Sequence, residues 1–166
     1  MNYFLAPWSK SLIVASTFAT LVCVGVTYGM WTLAMDGSLE RLRFWLGLLP
    51  LAVILACALF TVRGYSIANG TLLIDRLLWK TRVSLRELRS VKFDPAATHR
   101  SMRTFGNGGF FSFTGHFRSK ELGSYRAFMT DRRRAVVLRF PSSVIVISPE
   151  RPEDFVNTIS KNKVLS

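Results

Sequence analysis

Two patterns of apolar residues divide this chain. Residues 12–35, LIVASTFATLVCVGVTYGMWTLAM, run for 24 positions without a charge, and residues 44–62, FWLGLLPLAVILACALFTV, for another 19. As helices they rise roughly 36 and 28 Å, enough to cross a hydrocarbon core of about 30 Å. In lipid every backbone amide must be satisfied within its own segment, so both runs are expected to be helical. Pro50 removes one donor, but it falls in the second turn, where a bend is cheap. Tyr3, Trp8, Trp31, Phe44 and Trp45 stand near the ends of the runs, where amphipathic rings sit at headgroup level. A cleaved leader fits poorly: the first run is too long, no A-x-A-like site follows, and bulky Val22 precedes Cys23.

From Arg63 the pattern changes to short alternating runs. Tyr65–Ala68 and Thr71–Asp75 flank Asn69-Gly70, the strongest short-range signal of a β-hairpin, since a type I′ turn needs positive φ at both positions. Residues 77–85 predict a third strand, and Leu88 and Val91 continue its apolar character. Residues 94–109, with Pro95, Gly106, Gly108 and Gly109, predict a polar connection whose glycines permit a turn or bulge. Residues 110–118 alternate, with Phe111, Phe113 and Phe117 on one face and Ser112, Thr114, His116 and Arg118 on the other. That pattern predicts a half-buried strand with the phenylalanines inward and the polar face in solvent. Residues 122–130 and 135–140 are expected to pair across a tight tip at Asp131–Arg134, and residues 144–148 form a last buried strand. Acids at Glu150, Glu153 and Asp154 beside Pro149 and Pro152 then open a helix with Phe155, Val156 and Ile159 as its apolar stripe.

Charge sharpens the division. The chain of 166 residues is 49% hydrophobic, with mean hydropathy +0.27, yet carries a net charge of +12 and a pI near 10.7. Before residue 63 the net charge is +1; from Arg63 onward it is +11. Such a division excludes intrinsic disorder and a simple soluble domain. It predicts two parts: residues 1–63 as a transmembrane hairpin, with helices at about 12–35 and 44–62, and residues 64–166 as a domain of its own. The linker at 36–43 is neutral while the tail is strongly basic, so the positive-inside rule places both termini in the cytoplasm.

Chemistry-bearing residues are few. Cys23 and Cys57 lie inside the apolar runs without metal-ligand spacing and read as small packing residues. His99 and His116 have no Ser/His/Asp or metal-binding context, and Gly106–Gly109 lacks the Lys-Ser/Thr pair and following helix of a phosphate loop. No catalytic, cofactor or metal residue is therefore assigned. Arg132, Arg133 and Arg134 are the sharpest charged feature, with Lys80 and Arg82 in another strand connection. Two readings of that feature stand: contact with an anionic headgroup, worth about 1 kcal/mol per basic residue near an anionic leaflet, or a solvated turn whose charge only enforces topology. Topology already accounts for the basic balance, so nucleic acid is not an expected partner.

Two N-terminal apolar helices followed by YSIANGTLLI (65–74), TRVSLRELRSV (81–91), TFGNGGFFSFTGHF (104–117) and ISPERPEDFVNTI (147–159) resemble a membrane-anchored bacterial PH-domain protein. The resemblance covers residues 63–160 and implies an α+β fold: the helix hairpin, then a PH-like antiparallel β-barrel or sandwich of about seven strands with a C-terminal capping helix. It also implies a non-enzymatic inner-membrane protein, multi-pass, presenting a basic domain in the cytoplasm to protein partners, anionic lipid or both. An alternative is an accessory subunit of a membrane transport or envelope complex, gripped through its hairpin, or a homo-oligomer.

Overall fold

The computed structural model describes residues 2–32 and 40–164. Of the balanced linker expected at 36–43, residues 36–39 lie outside the described residues and residues 40–43 form the first turn of the second helix instead. Two long helices, α1 (Lys10–Thr32) and α2 (Glu40–Leu59), occupy the two apolar runs. They pack through small residues: Thr27 Oγ1 donates to the Gly47 carbonyl at 3.0 Å, and a β-carbon at Gly47 would collide with the Trp31 ring. Phe18, Leu21, Tyr28, Trp45 and Leu55 remain more than 60% exposed. Both helices are thus apolar around most of their circumference, unlike core helices of a soluble protein, and point to association with a membrane.

The first strand precedes both helices. Strand β1 (Asn2–Leu5) pairs antiparallel with β2 (Val62–Ala68), from Asn2 opposite Ile67 to Leu5 opposite Gly64. The Ala6 amide extends the ladder by donating to the Arg63 carbonyl at 3.0 Å. The whole helix pair is therefore inserted where a β-hairpin would have its turn. Hydropathy reading missed this strand because four residues beside a long apolar run carry no pattern of their own.

Asn69 and Gly70, at φ +48° and +67°, make the predicted left-handed turn from β2 into β3 (Thr71–Arg76). Strand β4 (Lys80–Ser84) completes a four-stranded sheet in the order β1-β2-β3-β4. The expected strand at 77–85 is shorter by its first three residues. Leu77, Leu78 and Trp79 form the β3–β4 turn, closed by the Arg76 amide on the Trp79 carbonyl. Their exposure follows from their position beside the end of α2, where Phe60 packs edge-on against Trp79 at 5.2 Å.

The second sheet has six strands: β5 (Ser90–Phe93), β6 (Met102–Phe110), β7 (Ser112–Ser119), β8 (Gly123–Met129), β9 (Val136–Arg139) and β10 (Val144–Ile147). Its order is β5-β9-β10-β8-β7-β6. Three expectations are corrected, the first being the count: the two sheets hold ten strands among the described residues, not about seven. Residues 102–110 are a bulged edge strand, not a loop, because Gly106 and Gly115 face each other across the ladder with φ of +109° and +138°. A β-carbon on either glycine would strike the backbone of the other strand. Strands β8 and β9 do not pair across a tip either. Strand β10 inserts between them, parallel to β8 and antiparallel to β9, so residues 131–135 carry a crossover.

Helix α3 (Pro152–Val164) starts on a proline with Glu153 and Asp154 in its first turn, as predicted. Phe155 and Ile159 enter the core between the sheets, where Phe155 meets Phe4 edge-on at 5.1 Å. A second cluster lies on the other side of the larger sheet, where Phe117, Tyr125, Ala127, Met129 and Val137 pack with Ala97.

Candidate binding site

Strand β7 shows where the domain meets the helices, and it departs from simple alternation. Phe117 is buried and Phe113 partly so, both in the second cluster. Ser112 and Thr114 are buried as well, against expectation, because the end of α2 covers that face. The Ser112 hydroxyl lies 2.9 Å from that of Thr114 and donates to the Phe60 carbonyl at 3.4 Å. Only His116 and Arg118 on that face are exposed. Phe111 leaves the register altogether at φ +63°. Its ring meets Trp8 at 5.9 Å, and its amide donates to Ser16 Oγ at 2.9 Å. Ser16 lies six residues into α1, so the β6–β7 tip climbs roughly 9 Å along that helix.

The five basic residues singled out by sequence divide into two groups. Arg132–Arg134 form one 3-10 turn capped by Asp131, whose side chain accepts from the Arg133 amide at 3.0 Å. Their side chains diverge. Arg132 lies over the Phe113 ring at 4.5 Å, Arg134 is 3.6 Å from Asp131 and donates to the Glu150 carbonyl, and Arg133 is exposed. The turn sits at the foot of α1, where Thr130 Oγ1 donates to the Pro7 carbonyl and the Ser9 amide donates to Thr130. Lys80 pairs with Asp75 at 3.1 Å, and Arg82 is exposed on β4. These two stand on the sheet that meets the foot of α2 through Arg76 and Phe60. The structure therefore keeps the two groups apart, the arginine turn at the foot of α1 and Lys80 and Arg82 on the outer face of β4, and does not converge all five.

A convergent site lies elsewhere, between the last turn of α2 and the β6-β7-β8 face. It is a cavity of about 650 Å³, walled on one side by Ala56, Cys57 and Phe60 and on the other by Phe105, Phe110, Gly106, Gly115 and Thr114. Such a volume is typical of a small-molecule site. Four basic side chains line it: Arg76, Arg103, His116 and Arg126. Its described lining contains no Asp or Glu.

Arg76 is the residue that sets the chemistry. It continues the inward register of Leu72 and Ile74 on β3, which buries it to 9% exposure and sends Asp75 to the opposite face. Its guanidinium donates to the Phe60 carbonyl and to Thr81 Oγ1, each at 3.2 Å, and lies 5.2 Å from the Phe128 ring centre. Arg126 stands 5.3 Å from the same ring. Burial, and then the positive charge of Arg126, push the Arg76 pKa below the usual arginine range. Sequence reasoning passed over Arg76, Arg103 and Arg126 because they are 23 to 50 positions apart, joined only by strand pairing. The alternation of Arg76 with Leu72 and Ile74 was the one available signal.

Among the described residues no group of three or more His, Cys, Asp or Glu is placed to hold a metal ion. A family model described as a bacterial PH domain matches residues 63–163, from the start of β2 through α3. No curated protein and no solved structure matches the chain.

Proposed function

The chain belongs to the bacterial PH-domain family, and on that premise we propose that it is a non-catalytic, inner-membrane binding module displaying its basic face toward the cytoplasmic leaflet. PH domains are generally binding modules without catalytic chemistry, which sets the class of function. The observation that carries the proposal is the pairing of β1 with β2 around the helix pair. With strands of one sheet leaving both ends of the hairpin, the domain is held at the bilayer surface, not on a loose tether. The charge balance of +1 before residue 63 and +11 from residue 63 onward favours the cytoplasmic side. In this reading Arg132, Arg133, Arg134, Lys80 and Arg82 supply diffuse attraction to anionic lipid or an acidic partner.

Reporter fusions test the arrangement. A fusion after residue 40 is expected to read as periplasmic and one at the C-terminus as cytoplasmic; the reverse pattern overturns it. Co-purification in mild detergent separates this reading from an accessory-subunit role, which requires a stoichiometric membrane partner.

A further inference from the structure

We propose that the cavity between α2 and the β6-β7-β8 face holds one anionic glycerophospholipid, its phosphate among Arg76, Arg103 and Arg126 and an acyl chain along Ala56 and Cys57. The inference rests on the membrane placement of α2 argued above. Two features of the cavity select this class of ligand.

The first is uncompensated charge. Arg76 is nearly buried, its hydrogen-bond partners are a carbonyl and a hydroxyl, and its charged neighbour in the cavity is a second arginine. A desolvated charge beside a like charge is destabilised unless an anion joins them, and guanidinium forks match phosphate oxygens in geometry. Neutral acceptors already hold Arg76 in place, so the site is organised before any anion arrives.

The second is the division of the walls. All the cationic groups stand on the strand side, beside Phe105 and Phe110, and the side formed by the end of α2 is apolar throughout. A helix that crosses a bilayer puts its last turn at the junction of acyl chains and headgroups. Phe105 beside the cavity is 77% exposed, and Leu78 on the β3–β4 turn is 74% exposed, so the surroundings suit lipid better than water. Free phosphate would use the first feature and leave the second unexplained. A phospholipid uses both, and basic pockets beside membrane helices are suited to such headgroups.

The test uses the full chain purified in detergent, stripped of lipid and offered mixed micelles of phosphatidylglycerol or phosphatidylcholine, with bound lipid counted by native mass spectrometry. One phosphatidylglycerol per chain is expected to be retained in preference to phosphatidylcholine. The exposed pair Arg103→Gln/Arg126→Gln is expected to lower retention about tenfold or more, the loss of one or more charge-assisted hydrogen bonds. Cys57→Trp, which fills the apolar wall, is expected to abolish lipid retention while inorganic phosphate still protects the chain thermally. Equal retention of the two lipids, or retention unchanged in both variants, overturns the proposal. Phosphate protection together with undiminished lipid binding in Cys57→Trp assigns the site to free phosphate and overturns the lipid. Extraction of the variants and the parent from membranes at alkaline pH runs alongside. A parent that washes out overturns the anchoring on which the inference rests, whereas an anchored parent that retains no lipid overturns the inference alone.

Discussion

Tyr65 ties the two sheets together through one hydroxyl. It donates to the Phe128 carbonyl at 2.6 Å and accepts from the Ser148 amide at 3.0 Å, in a fully buried setting. Replacing it by Phe leaves both backbone groups without that partner, and a loss of about 1–3 kcal/mol is expected in chemical denaturation. Burial also pushes the Tyr65 pKa up from 10 to about 12, the Ser148 hydrogen bonds opposing the shift in part. The folded chain therefore holds a proton that the unfolded chain releases near pH 10. This contribution is complete below pH 10 and is lost as pH rises toward 12, so the alkaline limb of stability should be flatter in Tyr65→Phe. The two phenylalanines of β7 differ in the same way. Phe117, 1% exposed, should cost about 3–5 kcal/mol on truncation to Ala, and Phe113, half covered and stacked under Arg132, less.

Elements were legible where a periodic pattern met a turn with special backbone demands. The Asn69-Gly70 hairpin and the α3 start satisfy both conditions, whereas the two helices were legible from the unbroken apolar length of their runs alone. Strands β1 and β6 were not legible, for different reasons. The first is too short to show a period, and the second is rich in glycine because it passes close to β7. Glycine usually marks a loop, yet at 106 and 115 it permits two backbones to approach with positive φ. Gly115→Ala is expected to destabilise the β6–β7 hairpin by about 1–3 kcal/mol and to raise hydrogen exchange in residues 102–118 before the rest of the sheet. The crossover at Arg132–Arg134 was hidden because neighbouring runs normally pair, and no residue announces that a later strand will insert between them. The cavity was hidden likewise: its arginines converge only through strand order.

At the scale of the whole molecule, the apposition of Ala6 and Arg63 makes the helix pair a separable insertion. Replacing residues 10–59 by a short Gly/Ser linker is expected to give a water-soluble domain with β1 in place. A fragment beginning at residue 64 lacks β1 and should be the less stable of the two, since Phe4 and Ala6 belong to the main core. Thermal unfolding of both fragments decides the point, and equal midpoints would show that β1 contributes nothing.

That same pairing has a consequence in time. Strand β1 leaves the ribosome first, but its partner β2 is made only after both helices, some 60 residues later. At about 5–20 residues per second, Phe4 and the open strand edge wait roughly 3 to 12 s for a mate. In the membrane arrangement proposed above, that interval is when the two helices enter the bilayer. In that arrangement, a molecule in which only one of the two helices crosses leaves β1 and β2 on opposite faces of the membrane, unable to meet. Completion of the first sheet would thus report that both helices have crossed, since β1 reaches β2 only when the chain returns to the side it left.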